Sequence, residues 1–148
     1  MEFIPTVVDI LDQPYSLERE QSIHAGSKKQ SIYTKSSCEC ELVGLSDGLS
    51  QVIYTRIFLI SQGYDIKPAT INQDNTSTIS LAHNGMSDSE KTRHISARYF
   101  FVADRIKSGE IDLQHLGTAD MIADILTKPL QDELFVRLRD LLLGYTCL

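Results

Sequence analysis

One long amphipathic segment constrains the fold more than any other part of the chain. Between residues 42 and 60, apolar side chains recur at spacings of three and four, which is the pattern of one face of an α-helix. These apolar residues are Leu42, Leu45, Leu49, Val52, Ile53, Ile57 and Ile60. Ser36 and Glu39 have the spacing of a capping box, so the helix is predicted to begin there, and Gly63 is predicted to end it. We expect the whole stripe to face the core.

The segments on either side of this helix alternate between strand-like and helical patterns. Strands are predicted at residues 3–11, 31–36, 69–74 and 111–116. Helices are predicted at residues 75–84, 92–107 and 119–128, and again after Pro129, where Asp132 and Glu133 suit a first turn. Residues 12–30 are polar with little period, and we expect them to be poorly organised. Strands separated by helices favour an α/β class with helices packed on a sheet.

Length, charge and cysteine content narrow the class of protein. The 148 residues suit one globular domain. A net charge of −6 argues against a general affinity for nucleic acid, so such a contact would need a local basic patch or a metal bridge. Three cysteines match neither a disulfide framework nor a zinc site, and we expect reduced thiols. The lack of a signal sequence or long apolar run predicts an intracellular protein, cytoplasmic or nuclear, that is not secreted and contacts no membrane.

Three blocks of sequence, taken in order, resemble the ribonuclease H region of copia-type retrotransposon polyproteins. They are SKKQSIYTKSSCECELVGLSDG at residues 27–48, NQDNTSTISLAHN at 72–84 with EKTRHISARYFFVADRIKSGEIDLQHL at 90–116, and TADMIADILTKPL at 118–130. The resemblance implies a ribonuclease H-like mixed sheet flanked by helices. It assigns residues 27–148 to this domain and leaves residues 1–26 as an atypical N-terminal segment.

The resemblance also implies an activity. Domains of this family are endonucleases that cleave the RNA strand of RNA–DNA hybrids during reverse transcription, beside the reverse transcriptase domain of the parent polyprotein. By motif position, Glu41, Asp74 and Asp124 would be the catalytic residues and the ligands of two divalent metal ions, Mg²⁺ or Mn²⁺. Clustered carboxylates suit this task because they supply hard oxygen ligands and the negative charge that two adjacent dications need.

Each of these carboxylates also has an ordinary structural explanation. Glu41 lies in the first turn of its helix, where the helix dipole favours any acid. Asp74 follows a strand and precedes a helix, so it could be an N-cap or a turn residue, a role that Asn75 could fill equally well. Asp124 falls on the polar face of its predicted helix, and periodicity alone indicates a solvated aspartate.

Several basic residues could contact the phosphates of a hybrid, although such residues more often solubilise a helix face or a loop. They are Lys28, Lys29, Lys35, Lys91, Arg93, His94 and Arg98. His115 lies between a strand and the segment of Asp124, near the place where some ribonucleases H have a histidine that helps the product leave.

The N-terminal part of the chain departs from the family pattern. The family's domains begin with a strand that carries an aspartate in a D-A-S or D-A-D context, and no such context precedes residue 27. Asp9 is the nearest substitute and Asp12 the next. We therefore expect the first strands to be incomplete or atypical. A non-catalytic retroelement remnant, acting as a binding or interaction domain or without function, is the alternative to an active enzyme.

Overall fold

The computed structural model describes residues 3–8, 22, 24–84 and 96–145. In chain order its regular elements are β1 (Phe3–Val8), β2 (His24–Lys29), α1 (Ser37–Ser61), β3 (Ala69–Gln73), α2 (Thr76–Asn84), α3 (Ser96–Lys107), β4 (Ile111–His115), two 3₁₀-helices (Thr118–Asp120 and Ile122–Leu126) and α4 (Asp132–Leu142). This mixture of helices and strands is the α/β class that the sequence predicts. Within the described ranges, no helix is both long and apolar enough to span a bilayer.

The chain divides into two compact units. The central unit comprises residues 31–116, and the terminal unit comprises residues 1–30 together with 117–148. Glu41 and Asp74 belong to the central unit and Asp124 to the terminal unit.

The central unit contains a two-stranded parallel sheet. β3 pairs with β4 from Ala69 opposite Ile111 to Gln73 opposite His115, and α2 and α3 connect the two strands. The backbone N–H of Leu116 donates to the Gln73 carbonyl at 3.1 Å and continues the ladder past the last pair. Because the strands are parallel, their carboxyl ends lie at the same edge of the sheet.

The core of the central unit is formed by side chains from α1, α2, α3 and β4. The buried residues are Leu42, Val43, Leu49, Ala82, Tyr99, Val102, Ala103, Ile111 and Leu113. In β4, Ile111 and Leu113 are buried whereas Asp112 and Gln114 are exposed, which is the period-two pattern of a strand with one covered face. Helix α1 contacts α2 and α3, so its N-terminal half is held against the rest of the unit.

The start and end of α1 follow the predicted signals. Ser36 is the N-cap, and its hydroxyl accepts a hydrogen bond from the Glu39 backbone N–H at 3.2 Å. The Glu39 carboxylate in turn accepts from the backbone N–H of Lys35 at 2.7 Å, one residue earlier than in a standard capping box. At the other end, Gly63 has a φ of 91°, a conformation that an L side chain rarely adopts. The predicted boundaries of the helix are confirmed.

The second half of α1 extends beyond the elements on which it packs. Its 25 residues make a helix of about 37 Å, whereas each five-residue strand of the unit spans about 17 Å. Accordingly Ile57 is 61% exposed and Ile60 is 48% exposed. The expectation that the whole apolar stripe faces the core is therefore wrong for these two residues.

The terminal unit contains the β1–β2 ribbon, the 3₁₀-helices and α4. The strands pair antiparallel along all six residues of each. The second 3₁₀-helix contacts β1, β2 and α4. As predicted, α4 carries Asp132 and Glu133 in its first turn, and its Leu138 side chain is fully buried.

Three local predictions are wrong. Residues 31–36 form no strand, and none of the strands that the structure describes pairs with them. Residues 24–29, which we expected to be poorly organised, form β2, because backbone pairing with β1 does not require an apolar face. Residues 119–128 contain 3₁₀-helix instead of the predicted α-helix.

Other predictions are confirmed in part or fall on residues that the structure does not describe. The first predicted strand is present as residues 3–8. Cys38 and Cys40 are free thiols, as expected, and Cys40 is buried. The residues of interest outside the described ranges are Asp9, Asp12, Lys91, Arg93 and His94.

Candidate functional site

Asp74 lies at the carboxyl edge of the parallel sheet. It follows directly after β3 and is half-buried. The side-chain oxygen of Gln73 accepts hydrogen bonds from the backbone N–H groups of Asp74 at 2.8 Å and Asn75 at 3.2 Å, which fixes the chain where it leaves the strand. The strand register places His115 opposite Gln73, so this exposed histidine lies at the same edge. This edge is where ligands bind in many α/β folds.

The cap of α2 is Asn75 and not Asp74. The Asn75 side-chain oxygen accepts hydrogen bonds from the backbone N–H groups of Ser77 at 2.9 Å and Thr78 at 3.3 Å, the standard pattern of an N-cap. Among the described residues, none donates a hydrogen bond to the Asp74 carboxylate. Of the two capping alternatives that the sequence leaves open, the structure selects Asn75, and the Asp74 carboxylate has no capping role.

Glu41 is connected to the first turn of α2 through Thr78. The Thr78 side chain is fully buried, and its hydroxyl lies 3.2 Å from Oε2 of Glu41 and 3.4 Å from the Cys38 carbonyl oxygen. A hydroxyl has one proton, and a charged acceptor forms the stronger hydrogen bond, so donation to the Glu41 carboxylate is favoured. The structure thus ties Glu41 to the turn that begins next to Asp74.

Thr78 is not among the site residues predicted from the sequence. The available signal is the spacing of four between Thr78 and Ala82, which places both on one face of α2, and both are buried. A threonine on the buried face of a helix needs a hydrogen-bond partner for its hydroxyl. That requirement could have directed attention to Thr78, although it could not have named Glu41 as the partner.

Asp124 is buried, contrary to the expectation of a solvated aspartate. It is 6% exposed, and its Oδ2 lies 2.7 Å from the Lys128 ammonium. The expectation failed because it assumed 3.6 residues per turn, whereas Ile122–Leu126 is a 3₁₀-helix with about three residues per turn. Residues that share a face in one kind of helix are separated in the other.

The chemistry of the donor groups decides how well these residues suit a divalent metal ion. Glu41 and Asp74 provide carboxylate oxygens, the ligands that Mg²⁺ and Mn²⁺ prefer. One oxygen of Asp124 already binds an ammonium group, so a metal ion there would have to displace Lys128. In the described part of either unit, no three His, Cys, Asp or Glu side chains are grouped so that they could hold a metal ion. The donor set of the central unit therefore fits a divalent ion in kind, and Asp124 fits one only after Lys128 leaves.

Three of the predicted phosphate contacts are exposed, and a fourth is engaged in an ion pair. Lys28 and Lys29 lie on β2 and Lys35 lies just before α1, and all three are exposed to solvent. The Arg98 guanidinium forms an ion pair with Asp47 at 3.1 Å. Electrostatic attraction for a polyanion is thus expected at β2 in the terminal unit and at Lys35 in the central unit.

Thr78→Val is expected to lower the free energy of unfolding by about 1–2 kcal/mol. The substitution replaces a buried hydroxyl donor by a methyl group, so the Glu41 carboxylate and the Cys38 carbonyl lose that donor. Thr76→Val is the matched control, since Thr76 is exposed at the start of the same helix, and we expect a change below about 0.5 kcal/mol. Urea unfolding of both variants would measure the difference. Equal effects of the two substitutions would show that the Thr78 hydroxyl makes no net contribution.

Comparison with known proteins finds similarity to retroelement polyproteins from plants. The chain is 32% identical to the retrovirus-related Pol polyprotein from transposon RE1 of Arabidopsis thaliana. The alignment extends over 110 residues and covers 74% of this chain. The chain is also 32% identical over 105 residues, or 70% of its length, to the polyprotein from transposon RE2 of the same plant. For the polyprotein from transposon TNT 1-94 of Nicotiana tabacum, the identity is 28% over 102 residues, or 69% of the chain.

These matches cover a small part of each relative. The aligned segment is 7% of the RE1 and RE2 polyproteins and 8% of the TNT 1-94 polyprotein. No protein-family model matches the chain, and no solved structure matches it. The relationship is therefore to one segment of a much longer polyprotein.

Proposed function

The chain is related to one segment of the retrovirus-related Pol polyproteins of copia-type transposons, and from this relationship we propose that it is a ribonuclease H-like domain. In this proposal it is an intracellular endonuclease whose substrate is the RNA strand of an RNA–DNA hybrid. Its partner would be the reverse transcriptase domain of the parent polyprotein.

One observation in the central unit carries the proposal. The Thr78 hydroxyl joins the Glu41 carboxylate to the first turn of α2, and Asp74 lies immediately before the cap of that helix. Two acids that are 33 residues apart in sequence are thereby attached to the same strand-to-helix turn at the carboxyl edge of the sheet. A structural role as caps does not explain this, because Ser36 caps α1 and Asn75 caps α2.

In the proposed mechanism, Glu41 and Asp74 would hold a divalent ion, Mg²⁺ or Mn²⁺, and the family resemblance adds Asp124 to the ligands. When bound, such ions supply an activated water and stabilise the leaving oxygen of the phosphodiester. The protein's own contribution is to place the carboxylates. Thr78 orients Glu41, and Gln73 fixes the backbone that carries Asp74. Lys28 and Lys29 are available to bind backbone phosphates of the hybrid.

Incubation of the purified chain with a hybrid labelled on its RNA strand tests the proposal. We expect shortened RNA in the presence of Mg²⁺ or Mn²⁺, intact RNA in the presence of a chelator, and intact RNA with the Glu41→Gln, Asp74→Asn double variant. The control is Asp65→Asn with Asp104→Asn, which removes the same charge from two exposed positions of the central unit and should leave cleavage unchanged. Wild-type cleavage no greater than that of the site variant would refute the proposal.

Binding of a hybrid without hydrolysis is the second candidate function. The ion pair between Asp124 and Lys128 favours it, because a carboxylate assigned to metal binding is already neutralised. Fluorescence anisotropy with a labelled hybrid would detect this function as binding that leaves the RNA strand intact in Mn²⁺.

A further inference from the structure

The Asp124–Lys128 pair is set in a fixed turn of the terminal unit. The backbone N–H groups of Thr127 and Lys128 both donate to the Asp124 carbonyl, at 3.1 Å and 2.8 Å. This turn brings the Lys128 ammonium to 2.7 Å from the Asp124 carboxylate. The two side chains differ in their surroundings, because that of Asp124 is 8% exposed whereas that of Lys128 is 46% exposed.

A carboxylate as buried as that of Asp124 needs a positive charge or several hydrogen-bond donors, because removing an ion from water without compensation is costly. In this structure the ammonium of Lys128 supplies that charge. A divalent metal ion bound to the same carboxylate would lie within a few ångströms of the ammonium, and the two cations would repel each other strongly in a poorly hydrated place.

We propose that Lys128 is the resident cation of Asp124 and that it competes with a divalent metal ion for this carboxylate. The inference rests on the proposed function, in which Asp124 is a metal ligand. Lys128 is suited to such an exchange, since its ammonium is carried on a flexible stem and is already half exposed to water. It can therefore leave the carboxylate and remain solvated, whereas Asp124 stays in place.

The competition has opposite effects on stability and on metal affinity. Lys128 stabilises the metal-free chain, because it compensates the charge of a buried acid. It weakens metal binding, because the metal ion must break the ion pair first. Removal of the ammonium should therefore strengthen the binding of a metal ion at Asp124, whereas a lysine with a purely structural role would leave metal affinity unchanged or reduce it.

Calorimetric titration of the full chain with MnCl₂ tests this competition. Lys128→Met is expected to bind Mn²⁺ up to about fivefold more tightly than the wild type, which is the cost of breaking a partly exposed ion pair expressed as an affinity ratio. The gain should disappear in the Asp124→Asn, Lys128→Met double variant. Lys67→Met removes the same charge from an exposed loop position and should bind Mn²⁺ as the wild type does.

A second variant guards against loss of folding. Lys128→Gln removes the charge but keeps a donor for the Asp124 carboxylate, and it should show the same direction of change. Thermal unfolding with and without Mn²⁺ provides a separate readout. Both Lys128 variants should melt at a lower temperature than the wild type without metal, and Mn²⁺ should raise their melting temperatures more than it raises that of the wild type.

The possible results separate this inference from the proposed function. Mn²⁺ affinity that Lys128→Met and Lys128→Gln leave unchanged or weaken would overturn the competition, while hybrid cleavage by the wild type would still support the enzyme. Tighter Mn²⁺ binding that depends on Asp124, without cleavage by any variant, would support the competition and contradict the enzyme. No Mn²⁺ binding by the wild type or by either Lys128 variant would overturn the competition.

Discussion

Leu42→Ala is expected to lower the free energy of unfolding by about 3–4 kcal/mol. The Leu42 side chain is completely buried in α1 and belongs to the cluster that joins this helix to α2, α3 and β4. Its truncation removes buried apolar surface and leaves a cavity that the surrounding helices and strands can fill only in part. For a domain of ordinary stability, this is a large fraction of the total.

Ile57→Ala is the matched control for Leu42→Ala. Ile57 lies on the same predicted stripe of the same helix but is 61% exposed, so its replacement should change the free energy by less than about 0.5 kcal/mol. Urea unfolding followed by far-UV circular dichroism would measure both variants, and similar m-values would show that the extent of unfolding is unchanged. If Ile57→Ala were as destabilising as Leu42→Ala, the second half of α1 would be packed against another surface.

The contrast between Leu42 and Ile57 shows which features of a helix its periodicity can predict. Spacing identifies which face of a helix is apolar, because the angle between successive side chains is fixed by the backbone. It does not say how much of that face finds a partner, since this depends on the lengths of elements elsewhere in the chain. Here the strands of the sheet are five residues long and α1 has 25, and no pattern within α1 contains that information.

The errors in the terminal unit have a different physical origin. β2 is stabilised by backbone hydrogen bonds to β1, and its exposed side chains carry no alternation by which it could be recognised. For Asp124, the error lay in the type of helix: 3₁₀ geometry changes which residues share a face, and composition does not distinguish short 3₁₀ segments from α-helix. Its ion pair with Lys128 is consistent with the spacing of four, but the burial was not predictable from that spacing.

The candidate site combines residues that the sequence could suggest with others that only the fold reveals. Glu41 and Asp74 were suggested by their positions in motifs that resemble a known family. Asn75 is one of two caps that the sequence leaves open, whereas the link from Thr78 to Glu41 exists only where the first turns of α1 and α2 meet. Sequence motifs therefore indicated which acids to consider, and the packing of helices decided which neighbours hold them.

Asp74→Asn is expected to reduce hybrid cleavage by a hundredfold or more, which corresponds to about 3 kcal/mol or more of lost transition-state stabilisation. The substitution keeps the shape of the side chain and removes the negative charge that a divalent ion requires. Stability should change by less than about 0.5 kcal/mol, because the Asp74 carboxylate accepts no hydrogen bond from a described residue. Single-turnover cleavage and urea unfolding of the same preparation would measure the two quantities.

Asn75→Ala is the complementary variant, because it removes the cap of α2 and leaves the Asp74 carboxylate in place. Loss of the two hydrogen bonds to Ser77 and Thr78 should cost about 1 kcal/mol of stability. Cleavage by the folded protein should fall far less than with Asp74→Asn, since no charge is removed. If Asp74 is functional and Asn75 is structural, Asp74→Asn should reduce cleavage and leave stability nearly unchanged. Asn75→Ala should instead reduce stability and leave most of the cleavage. If Asp74→Asn instead destabilised the protein and left cleavage intact, Asp74 would be a structural residue and the assignment of the site would be wrong.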